Sequence, residues 1–115
     1  MGPEEFVEIL IAPPNTFLPG ESRLLEYGEA RVALFNVGGA VHAVDDLCPH
    51  RQGPLSEGYL DGFLITCPWH GWQFDVRDGR CDTVSRHRVR TYPVRVDETG
   101  VHLTLPDPPR TAPAA

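Results

Sequence analysis

Twelve prolines and eleven glycines punctuate a chain of 115 residues, and few helices of useful length survive that density of breakers. The elements must be short and the turns frequent, which suits an all-β domain better than a helical bundle. A chain of this length builds one compact domain, leaves little room for a second core, and is expected to carry one site.

The β-rich runs can be placed between the breakers. Residues 6–11 read as an opening strand closed by the Pro13-Pro14-Asn15 turn, and residues 22–27 as a second. Residues 31–36 and 40–44 flank Val37-Gly38-Gly39, whose adjacent glycines supply the positive φ angles of a tight hairpin. Residues 63–67 and 72–76 are separated by Pro68-Trp69-His70-Gly71 and followed by an Asp78-Gly79 turn. Residues 89–96 and 101–105 form a last hairpin around Asp97-Glu98-Thr99-Gly100, with Pro93 pointing to an edge position. The domain is expected to occupy residues 1–105, and residues 106–115, which carry no apolar pattern, to form a flexible tail.

The formal charge of −6 at pH 7 argues against nucleic acid as a partner, because phosphate neutralisation needs a basic face. The bases are unevenly spread. Residues 1–62 hold only Arg23, Arg31 and Arg51, whereas Arg77, Arg80, Arg86, Arg88, Arg90 and Arg95 crowd a later stretch, so an electrically polar molecule is expected. That stretch reads first as a solvated face and otherwise as a surface that steers an acidic redox partner. The opening residues contain acids and no basic segment, and no apolar run reaches the length of a signal peptide or membrane span. Met1-Gly2 is not followed by Ser or Thr at position six, so myristoylation is not expected. These features point to a soluble cytoplasmic protein with no membrane partner. Three cysteines cannot all pair within one chain, and a reducing compartment leaves thiols free for metal.

Cys48-Pro49-His50 and Cys67-Pro68-Trp69-His70 each bring a thiol and an imidazole together on a Pro- or Gly-bounded loop. Two such loops can face one another. Thiolate suits iron–sulfur clusters and imidazole suits iron or zinc, so the four side chains could complete a cluster or a tetrahedral zinc site. Ligand order bears on the choice. Zinc fingers group cysteine with cysteine and histidine with histidine, whereas here the types alternate. A Rieske centre places two cysteines on one iron and two histidines on the other, which requires each loop to deliver one of each. Two ordinary buried cysteines and two satisfied histidines would not have to fall at this spacing.

Cys-x-His, sixteen intervening residues and Cys-x-x-His-Gly resemble the signature of Rieske-type ferredoxins. The likeness extends to Leu55-Ser56-Glu57-Gly58, to Gly71-Trp72-Gln73-Phe74-Asp75 and to Arg90-Thr91-Tyr92-Pro93-Val94, and spans roughly residues 4 to 105. It implies an antiparallel β sandwich with a small cluster-binding subdomain and one Rieske-type [2Fe-2S] cluster per chain, held by Cys48, His50, Cys67 and His70. It also implies that the histidines bind iron through Nδ1 and face solvent with Nε2. High-potential members carry a loop-to-loop disulfide at positions matching Gly53 and Trp69, and hydroxyl donors to sulfur where this chain has Trp72 and Phe74. Losing those donors favours the oxidised cluster and places the centre toward the low end of the Rieske range, roughly −150 mV. Many members also cover the cluster with a proline-containing loop, whereas residues 82–87 contain no proline.

Cys81 follows Gly79-Arg80, outside both candidate ligand loops, and is expected to be a buried, inert thiol. His42, His87 and His102 are read as structural or solvated. Trp69 is expected to shield the cluster from water. The resemblance implies a soluble electron carrier rather than a catalyst on its own. It would take single electrons from an NAD(P)H-dependent flavin reductase and pass them to a terminal oxygenase. The chain is too short for the oxygenase's own iron domain and shows no separate 2-His-1-carboxylate pattern. Alternatives are the small Rieske subunit of an NADH-dependent nitrite reductase, partnered by its large subunit, and a zinc-bound interaction module without redox duty.

Overall fold

The structure, a computed structural model, describes residues 6–48, 53–69, 71–82 and 87–106. Ten strands are described within these residues: β1 (Phe6–Ala12), β2 (Ser22–Tyr27), β3 (Ala30–Val37), β4 (Ala40–Asp45), β5 (Tyr59–Asp61), β6 (Leu64–Thr66), β7 (Gln73–Asp75), β8 (Thr91–Tyr92), β9 (Val94–Asp97) and β10 (Gly100–Pro106). A single 3-10 turn at Leu55–Glu57 is the only helical element among them. All the strand pairings are antiparallel and form three sheets, ordered β1-β10-β9, β2-β3-β4-β8 and β5-β6-β7.

The middle sheet organises the other two through β3. Successive side chains of a strand point to opposite faces, and in β3 both faces are dry. Ala33 and Phe35 join a core with Val44, Leu55, Ile65, Phe74, Val76 and Val89, against the β5-β6-β7 sheet. Val32 and Leu34 join a second core with Ala12, Phe17, Ala43, Val101, Leu103 and Leu105, against the β1-β10-β9 sheet. The unbroken apolar run 32–35 has this physical reason. A buried polar group beside it is fully engaged: Asn36 donates from Nδ2 to the Phe17 carbonyl (2.7 Å) and accepts at Oδ1 from the Gly39 amide (2.8 Å).

The expected glycine hairpin forms with a turn of two residues, since Val37 already pairs with Ala40. Gly38 and Gly39 take φ of 62° and 101°, a combination open to glycine. Pro93 separates β8 from β9. It marks the point where the chain leaves the edge of the middle sheet for the edge of the outer one, and its missing N–H is harmless there.

Three readings need correction. The last strand includes Pro106, paired with Phe6, and so runs one residue past the expected limit of 105; the rest of the expected tail, residues 107–115, lies outside the described residues. The runs at 63–67 and 72–76 shorten to β6 and β7, because their outer residues turn into the loops. The strand β5 was not anticipated: three residues between Gly58 and Gly62 are too few to show a period. No helix among the described residues is long and apolar enough to cross a membrane.

Leu103 is fully buried in the core between the middle and outer sheets. Leu103→Ala is expected to lower unfolding stability by about 2–5 kcal/mol, measured by guanidinium denaturation followed by far-UV circular dichroism.

Candidate metal centre

The loop that follows Cys48, the first of the two candidate ligand loops, grows from a short two-stranded stem. The Leu55 amide donates to the Asp46 carbonyl (2.6 Å), Leu47 and Pro54 form an isolated bridge, and the Cys48 amide donates to the Gly53 carbonyl (2.9 Å). These rungs bring Cys48 and Gly53 together across residues 49–52. The second loop is the connection between β6 and β7, whose last rung pairs Thr66 with Gln73. The Cys67 amide donates to the Trp72 carbonyl (2.7 Å), and the Gly71 amide folds back onto the Cys67 carbonyl (3.1 Å).

The two loop bases touch at Gly53. A Cβ placed on this residue would lie 2.6 Å from Cys67 Sγ, 3.1 Å from Trp69 Cγ and 3.3 Å from Trp69 Cβ. The first distance is impossible for a real carbon–sulfur contact, so only glycine lets Cys67 approach the loop that begins at Cys48. The last is close to the roughly 3.5–4.5 Å separating the Cβ atoms of a disulfide. Positions 53 and 69 thus face each other as the family resemblance implies, with an indole filling the space.

Cys48 and Cys67 are 1% and 2% exposed, share one core, and are not in a disulfide. His50 and His70 lie outside the described residues, as does Arg86 of the arginine stretch. Two buried soft donors delivered from two facing loops suit one iron of a cluster. The donor chemistry of the described residues therefore fits a [2Fe-2S] centre.

The surroundings are aromatic. Phe74 is fully buried. Trp72 is partly buried against the same core, with its ring centroid 4.9 Å from that of His87. Trp69 remains 58% exposed, so it covers the Gly53 side while offering much of its ring to solvent. Cys81 is buried as expected, bridging to Phe74. His42 is half-buried and edge-on to Phe63. Burial, reinforced by Arg77, lowers its pKa. His102 accompanies Thr99 (2.7 Å) and Asp97 in a local polar group.

Among the described residues, the arginines of this stretch do not form one free basic face. Arg77 pairs with Asp75 and lies over the Phe63 ring, Arg80 pairs with Asp78, and Arg95 bridges Glu8 and Asp97. Arg90 covers the Tyr92 ring. Residues that the motifs did not single out are Arg31 and Asp46. An acid two positions before Cys48 has no periodic signature, and its partner is fifteen residues away.

The sequence matches the Rieske [2Fe-2S] domain over residues 8–93. The chain belongs to the Rieske [2Fe-2S] domain family. The cofactor of this family is a Rieske-type [2Fe-2S] cluster. Within it, the chain is 40% identical over 76 residues to the ferredoxin component of a naphthalene 1,2-dioxygenase system from Pseudomonas putida, covering 64% of this chain and 72% of that protein. It is 37% identical over 102 residues to 4β-methylsterol monooxygenase from Methylococcus capsulatus, with 78% of this chain aligned. The alignment spans only 27% of that longer protein. Among solved structures, a chain in the complex of reduced oxygenase and oxidized ferredoxin of carbazole 1,9a-dioxygenase superposes with a TM-score of 0.78 at 32% identity, covering 84% of this chain and 91% of the other. The Rieske fold and the expected family membership are therefore found.

Gly53→Ala is expected to cut the iron and sulfide bound per purified chain severalfold, since the added carbon must displace Cys67 Sγ. Iron analysis and visible absorbance would measure this, and full loading would show that the loops part without cost.

Proposed function

We propose that this chain is a Rieske-type ferredoxin of an oxygenase system, taking single electrons from an NAD(P)H-dependent flavin reductase and passing them to a terminal oxygenase. The observation that carries the reading is the 40% identity across 72% of a dioxygenase ferredoxin component. Cys48 and Cys67 would hold one iron and His50 and His70 the other, and the cluster supplies one-electron chemistry when bound. The chain's own residues set the rest. Burial of Cys48 and Cys67 keeps water from the sulfur side, while Trp69, within the second loop and against Gly53, is a partial shield. Phe74 and Trp72 bring no hydroxyl to the sulfurs. A cytoplasmic location accords with thiols left outside disulfides.

The purified protein is expected to be coloured, to show the EPR signal of a reduced Rieske centre, and to have a midpoint of roughly −150 mV that changes little between about pH 6 and 7. A colourless, EPR-silent protein containing zinc would overturn the cluster reading, and a midpoint near the upper end of the Rieske range would overturn the low-potential one. Cys67→Ser and His70→Ala should each abolish the signal. Mixing with a flavin reductase and NADH should reduce the protein, and a matching oxygenase should reoxidise it. Isolation as a stable heteromer with a large sirohaem flavoprotein would instead establish the nitrite reductase role.

A further inference from the structure

The stem of the first ligand loop is anchored by a charged pair outside the ligand set. Asp46 is fully buried, and a carboxylate out of water is costly unless its oxygens are hydrogen-bonded. Its amide donates to the Arg31 carbonyl (2.9 Å), and its Oδ2 accepts from Arg31 Nη2 (3.0 Å). Its carbonyl accepts from the Leu55 amide (2.6 Å), and its Oδ1 accepts from the Ser56 amide (2.8 Å). Two bonds therefore grip β3, and two grip the opposite side of the stem.

The second pair of bonds reaches the start of the 3-10 turn Leu55–Glu57, where amides have no partner within the turn itself. An apolar residue at position 46 could fill the same space. It could not accept the Ser56 amide while holding a guanidinium. Leu55, fixed by this contact, is fully buried in the core that contains Cys48 and Cys67. Arg31 also reaches the exposed Glu26 through Nη1 (2.8 Å). Glu26 is exposed and meets a different nitrogen of the guanidinium from the one on Asp46.

We propose that Asp46, oriented by Arg31, is a positioning residue that fixes the two sides of the first ligand loop and thereby the placement of Cys48 against Cys67. The inference rests on the reading of Cys48 as a cluster ligand. It assigns to the pair a role in retaining the cluster beyond its part in folding.

The test uses the loaded protein and three variants: Asp46→Asn, Arg31→Lys and Glu26→Gln. Each is followed by the rate of visible bleaching under an iron chelator, well below its thermal midpoint, and by the EPR line width. Asp46→Asn turns an acceptor facing Arg31 into a donor or rotates away from Ser56, and should speed cluster loss about 10-fold to 100-fold, the range for residues that orient metal ligands, with broadened lines. Arg31→Lys keeps the charge and should fall between wild type and Asp46→Asn. It also keeps the test open if Asp46→Asn does not accumulate, because the Arg31 side chain is one-third exposed. Glu26→Gln should match wild type.

Wild-type loss rates and line widths in both Asp46→Asn and Arg31→Lys would overturn the proposal. So would an effect of Glu26→Gln equal to that of Asp46→Asn, which removes the same single negative charge and would trace the change to net charge. A wild-type protein without a cluster would instead overturn the functional reading on which the proposal rests.

Discussion

The structure depends on one strand being dry on both faces. With Val32 and Leu34 turned into one core and Ala33 and Phe35 into the other, β3 lets a chain of 115 residues support three small sheets that none of its short strands could stabilise alone. Apolar side chains on both faces also fix register, because a slip by one residue would exchange the contents of the two cores. The consequence reaches the loops at Cys48 and Cys67. One core contains Cys48 and Cys67, so the packing that holds the middle sheet to β5-β6-β7 also brings the two loops together.

Main-chain contacts do much of the building at the site. The first loop is closed by amide-to-carbonyl rungs, the second by a turn around Cys67, and the two meet at Gly53, where a side chain is missing. Side chains enter where the main chain cannot supply an acceptor, as Asp46 does for Ser56. A rigid scaffold that presents ligands from loops is a common way to locate function, and here even the loops are tied at their bases.

Much of this was legible beforehand, for identifiable reasons. Glycine pairs and proline breaks are local signals, so the Gly38-Gly39 hairpin and the edge character at Pro93 could be read directly. The alternating cysteines and histidines marked the family and hence the sandwich. The three-residue strand β5 was too short to leave a pattern, and Pro106 looked like the start of a tail because its partner, Phe6, lies at the opposite end of the chain. The arginine stretch looked like a patch in one dimension. In three dimensions the acids Asp75, Asp78, Glu8 and Asp97 lie beside it. Arg31 and Asp46 were hidden because long-range pairing is a property of the fold and not of either residue's neighbours.

The meeting of Gly53 with Cys67 and Trp69 also bears on the cell's chemistry. A covalent bridge between two loops opens when the surrounding thiol pool is reducing enough. An indole packed against a bare Cα has no such dependence. Packing at Gly53 brings the loops together, so this contact does not hang on a bridging disulfide and would persist where glutathione keeps thiols reduced.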